Sequence, residues 1–149
     1  MGSKPSSSGP AASYVGGGAV RPSSRPGSHD VGHDEGEWRY LDSYYGGTDF
    51  LGQEAVWRAG TPAWVMNYYG RILRPDLTDA ATAGAVIKQS LSALYREGRF
   101  LGGFEHRVGR YRYIDASDGT VGSFTGLERI LVDGIEVYRL DYHGGLVRA

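Results

Sequence analysis

The chain has 149 residues, 40% of them hydrophobic and 12% aromatic, a size and composition that point to one folded domain with its own core. Its 16 basic and 17 acidic residues leave a formal charge of −1. With no basic surplus to release counterions, the balance argues against a free-standing DNA or RNA binder. No cysteine is present, which removes disulfides, thiolate nucleophiles and zinc–thiolate centres and suits a reducing compartment.

Residues 1–12 are rich in Ser, Gly and Pro, lack periodicity, and read as a disordered head before a single domain over 13–149. They also lack the apolar stretch of a signal peptide, and no later run approaches a membrane span, so a cytoplasmic protein is expected. Tyr14 to Gly18 begins the ordered part, and Arg21 to Asp30 reads as a loop pinned against the domain. Glu37–Ser43, Phe50–Arg58 and Ala63–Leu73 read as strands, with Ala59-Gly60 turning the second into the third and Pro62 at a strand start. A helix follows over about 79–97. Thr78 is its expected N-cap, with Asp79 in the first turn, and Gly98 is its stop. Ile87, Leu91, Leu94 and Tyr95 form one apolar stripe, while Lys88, Gln89, Ser92 and Arg96 face away. Arg110–Asp115, Ser123–Val132 and Glu136–Val147 then read as three more strands, with Asp133-Gly134 as a strong hairpin corner.

The two sets of strands echo each other. At an offset of 74 residues, Phe50, Gly52, Glu54, Gly60, Tyr68 and Gly70 fall on Phe124, Gly126, Glu128, Gly134, Tyr142 and Gly144. Val56/Ile130, Trp64/Tyr138, Met66/Leu140 and Ile72/Leu146 are like for like, and Trp38–Asp42 answers Tyr111–Asp115 at an offset of 73. The fold expected is α+β. A curved antiparallel sheet is built from two pseudo-symmetric three-stranded repeats, about 37–73 and 110–147, in the order βββ-α-βββ with one packing helix.

Strand alternation puts Phe50, Gly52, Glu54 and Val56 on one face with Trp64, Met66 and Tyr68, and their counterparts on another. Each face is apolar but for one glutamate. A carboxylate there is either matched by Arg or Tyr hydroxyls, or faces a cavity and is used. Gly52 and Gly126 leave room for close approach beside it. Asp42 and Asp115 also match. Departures from the echo carry separate information: Tyr69 becomes His143, and His29-Asp30 has no counterpart. A histidine beside an acid can act as a general base, but no nucleophile is marked for it, so a surface histidine with a structural hydrogen bond is the default. His29, Asp30, His33 and Asp34 have poor metal-ligating spacing in a loop that holds Gly32, and no metal or cofactor is expected. Gly16-Gly17-Gly18 lacks the strand–helix context of a dinucleotide site.

Several motifs together resemble an uncharacterised bacterial domain family, found alone and as the C-terminal part of helix-turn-helix regulators of the XRE type. They are Tyr14–Gly18, Arg25–Asp30, Tyr40–Tyr44, Phe50–Glu54, Trp64–Gly70 and Tyr142–Gly145. The resemblance spans about residues 13–147. It departs where Leu101-Gly102-Gly103-Phe104 replaces an Arg-Gly-Pro turn, and where the polar head replaces a short helical lead-in. It implies a module that binds something and reports on it. The expectation is a small-molecule-sensing or interaction module with an aromatic pocket, whose ligand-binding candidates are Arg25, His29, Asp30, Asp42, Glu54, Tyr68, Glu128 and His143. The alternative is an enzyme using a glutamate as acid or base with His29 and Asp30 or with His143. Sheet edges also permit a homodimer.

Overall fold

Two hairpin corners lay out the sheet. Ala59 and Gly60 (φ 48° and 82°) turn Phe50–Arg58 (β4) into Thr61–Ile72 (β5). Asp133 and Gly134 (φ 51° and 81°) turn Ser123–Val132 (β8) into Ile135–Leu146 (β9). Positive φ at both central residues is the type I′ turn, whose twist matches that of the strands it joins. Each hairpin slips register just before its corner, between Val56 and Trp57 and between Ile130 and Leu131.

The computed structural model describes residues 18–149. The head expected over 1–12, and the segment from Tyr14 to Gly17, lie outside the described residues. The other elements are Ala19–Arg21 (β1), His29–Glu35 (β2), Trp38–Gly46 (β3), the helix Ala80–Arg96 (α1), Phe104–Val108 (β6) and Tyr111–Thr120 (β7). All nine strands join one sheet in the order β1-β2-β3-β4-β5-β9-β8-β7-β6, each neighbouring pair antiparallel. The described residues therefore form an α+β fold, a curved antiparallel sheet with one helix.

Three strands were not expected. Residues 22–28 of the expected entry loop carry no strand, but its last two residues, His29 and Asp30, open β2, which pairs with β3 from His29 opposite Tyr44 to Glu35 opposite Trp38. Gly32 resembles loop punctuation but serves close approach within the sheet, since a Cβ there would stand 3.1 Å from the Tyr40 carbonyl oxygen. β1 and β6 supply the two edges, and they are too short to announce themselves by alternation. The helix is capped by Asp79 rather than by Thr78. The Asp79 carboxylate accepts from the Thr82 backbone N–H at 2.7 Å, which puts the first helical residue at Ala80. Gly98 ends it at φ 78°.

The helix lies on one face of the sheet and closes the core there. Ala83, Val86, Ile87, Leu91 and Leu94 pack against Val56, Met66, Tyr68, Phe124, Ile130, Tyr138 and Leu140. Each large apolar side chain buried in this way contributes about 1.5–3 kcal/mol. The opposite face of the sheet is open to solvent and exposes Tyr45, Leu51 and Tyr69 in adjacent strands.

Candidate functional site

The covered face of the sheet holds four buried carboxyl groups. Asp42 on β3 stands opposite Glu54 on β4, and Asp115 on β7 stands opposite Glu128 on β8. Tyrosine hydroxyls satisfy them. Tyr40 donates to Glu54 Oε1 at 3.0 Å and Tyr68 to Asp42 Oδ1 at 2.5 Å. In the other arm Tyr142 donates to Asp115 Oδ1 at 2.7 Å, while Tyr113 and Tyr138 both donate to Glu128, the latter at 3.1 Å. The two glycines of the Phe-x-Gly-x-Glu stretches make this geometry possible. A Cβ on Gly52 would meet the Tyr68 hydroxyl at 2.4 Å, and one on Gly126 would meet Cζ of Tyr142 at 1.9 Å. The room they leave is filled by tyrosine rings reaching across to the aspartates.

Burial, and then the neighbouring carboxylates, push Tyr40, Tyr68, Tyr113, Tyr138 and Tyr142 well above the usual phenol range, so they stay neutral donors. Burial also pushes the Asp115 carboxyl up to about 6, against the hydrogen bond from Tyr142 and the charge of Arg99.

A cavity of about 340 Å³ opens between the sheet and the first two turns of α1. Its helix wall is Ala80, Ala83, Gly84 and Ile87; its sheet wall includes Phe50, Ile72, Tyr138, Leu140 and Glu128. His29, Tyr44 and the turn Gly46-Gly47-Thr48 border it on the β2–β3 side. The His29 and Tyr44 rings lie 5.1 Å apart. No Lys or Arg lines the cavity among the described residues. Volume and lining fall within the range of small-molecule sites, apolar with a few convergent polar groups.

The sequence candidates divide around this geometry. His29 and Glu128 border the cavity. Asp42, Glu54 and Tyr68 are buried on the same face of the sheet, but do not line it. Asp30, one residue from His29, points to the other face by strand alternation and clasps the preceding loop. It accepts from the Ser28 and Ser43 hydroxyls, both at 2.8 Å, and from the Ser24 N–H at 3.1 Å. Burial works against its charge, yet these hydrogen bonds together hold its carboxyl below the usual range. Arg25 lies outside the cavity with its guanidinium 5.5 Å from the Tyr45 ring centre. His143 is exposed on the open face, its Nε2 3.2 Å from Asn67 Nδ2. Alternation likewise parts His29 and His33 from Asp30 and Asp34, and no group of three or more metal-binding side chains occurs among the described residues.

Sequence reasoning missed Thr48, Gly84 and Tyr138. One signal was available for the helix wall. Ala80-Ala81-Thr82-Ala83-Gly84-Ala85 has no large side chain, so the start of a core-facing helix has nothing to fill the space beneath it.

Fold and site together define an α+β domain with a single sheet, one covering helix and an aromatic-walled cavity at the helix start. The chain belongs to a family described as Domain of unknown function (DUF5680), whose model matches residues 42–147. The match takes in Glu128 and the helix wall but begins after His29. No curated protein and no solved structure shows significant similarity to it. Among the described residues, no helix is long and apolar enough to cross a membrane.

Proposed function

We propose that the domain is a small-molecule-sensing module whose ligand enters the cavity beneath the first turns of α1. The observation that carries this reading is the cavity itself: about 340 Å³ left open beside the packed core, with Glu128 in its lining and aromatic rings around it. A ligand there touches the helix start, the β2–β3 side and the central strands at once, so binding can tighten the helix on the sheet. The resemblance to domains attached to XRE-type DNA-binding heads supports such a reporting role, and the lack of cysteine supports a cytoplasmic setting.

We further infer that the sheet arose by duplication, with β2–β5 matching β6–β9. Glu54 and Glu128, Asp42 and Asp115, and Tyr40 and Tyr113 make the same hydrogen bonds or pairings in each arm. His33 opposite Tyr40 is answered by His106 opposite Tyr113, which extends the match to a fourth strand.

A thermal-shift screen over metabolites and nucleotides tests the sensing reading. A ligand is expected to raise the Tm of the native chain, and to lose its effect in Gly84→Leu, which fills the cavity, or in Glu128→Gln. A ligand whose shift survives Gly84→Leu would place the binding elsewhere. The presence of His29 and Glu128 around one cavity also favours an acid–base enzyme as a second reading. Chemical turnover of a bound ligand that depends on His29 would select it.

A further inference from the structure

The geometry points to an aromatic compound as the ligand of this cavity, its ring standing edge-on to Phe50 and its polar substituent directed at Glu128 or His29. This rests on the sensing reading and on the duplication, and it concerns what the site selects.

Register matches the cavity to a second place in the molecule. Phe50 stands opposite Gly70, and Gly70 opposite Leu140; in the other arm Phe124 stands opposite Gly144, and Gly144 opposite Met66. Ile72 faces Tyr138 across the central pair, as Leu146 faces Trp64. The sheet wall of the cavity therefore corresponds, residue by residue, to Phe124, Met66 and Trp64 beside Glu54. At that second place the chain supplies the occupant. Phe100, in the segment after α1, stands edge-on to Phe124 at 5.6 Å and edge-on to Trp64 at 6.4 Å. Edge-to-face packing at these separations adds to simple burial.

Among the described residues, no side chain of this kind fills the cavity. Where Phe100 reaches in at the far end of the helix, the near end presents Ala80, Ala83 and Gly84, and a Cβ on Gly84 would meet no atom within 4 Å. The same wall is thus closed by a phenyl ring in one arm and left open in the other. The polar groups give the second half of the specificity. With Glu128 and His29 bordering the space and no Lys or Arg among the described residues of its lining, the site suits a ring that carries a hydrogen-bond donor, such as a phenol, indole or arylamine.

The test uses the full chain, NMR amide shifts and three probes: phenol, tyramine and cyclohexanol. Phenol and tyramine are expected to shift the amides of Thr48 and Gly84, with cyclohexanol about three- to tenfold weaker. Gly84→Phe is expected to abolish these shifts. Phe100→Ala, or Phe100→Leu if the former does not fold, is expected to gain a second phenol site marked by the Gly144 amide. Equal binding of cyclohexanol and phenol would overturn the aromatic assignment while leaving the sensing reading intact. So would shifts that persist in Gly84→Phe, or a Phe100 variant that gains no second site. A metabolite stabilising the chain through Glu128 while no aromatic probe binds would likewise sink this inference alone.

Discussion

Single substitutions in this fold carry opposite signs. Gly126→Ala forces a methyl into the Tyr142 ring, 1.9 Å from Cζ, in a strand packed on both sides by neighbours. Tyr142 must then withdraw from Asp115, and a loss of about 2–4 kcal/mol is expected in urea unfolding. Gly84→Ala meets open space in a helix and is expected to stabilise by about 0.5–1 kcal/mol through helix propensity alone. The two aspartates likewise divide. Asp115 has a folded pKa raised from 3.8 to about 6, so the folded chain keeps a proton that the unfolded chain has lost. Its contribution is fully present below about pH 4 and is lost as the pH climbs to about 6, a drop of order 2–3 kcal/mol. Asp115→Asn should flatten this part of the stability curve. Asp30 is lowered, so its contribution is present above its usual value of 3.8 and lost as the pH falls through the folded pKa. Asp30→Asn should therefore remove an acid-side loss, measured by denaturant titration at a series of pH values.

At the level of elements, legibility followed the amount of side-chain pattern each one carries. β4 and β8 have the extents read from the sequence, because alternating apolar residues and a Gly-ended corner mark both boundaries. β2 was hidden because its sequence, His-Asp-Val-Gly-His-Asp-Glu, buries an aspartate and a glycine on one side and carries less buried histidines on the other, a pattern that hydropathy reads as polar loop. Glu54 and Glu128 stood out as lone acids on apolar faces, but the difference in their surroundings did not. It depends on Tyr138 reaching Glu128 while Trp64, at the matching place, sends its indole N–H to the Val121 carbonyl at 3.0 Å. An aromatic pocket was expected but its place was not, because missing volume shows in the sequence only as the run of small residues at the start of α1. The hairpin corners offer a direct check: Ala59 holds φ 48° without the local hydrogen bonding that Asp or Asn brings, whereas Asp133 holds the same place in the later corner. Ala59→Asn is expected to stabilise by about 0.5–1 kcal/mol, read as a rise in Tm.

Across the whole molecule, one helix among the described residues covers a nine-stranded sheet, and the strands beyond its reach hold together through strand pairing and the tyrosine–carboxyl bonds. Removing Phe100 should therefore cost more than an exposed aromatic would, since it closes the far side of the core against Trp64 and Phe124; Phe100→Ala is expected to lose about 2–4 kcal/mol.

The pairing of β5 with β9 has a consequence for how the chain acquires its shape. The innermost seam of the sheet joins Trp64–Ile72 to Tyr138–Leu146, so its second partner is the last strand of this sheet in chain order. Until that strand is made, β5 offers an unpaired edge in the middle of the future core, a surface that invites wrong partners. Such long-range closure is slow compared with helix formation. Nascent chains arrested before Ile135 should remain protease-sensitive throughout, and those arrested once β9 has cleared the exit tunnel should become resistant in a single step.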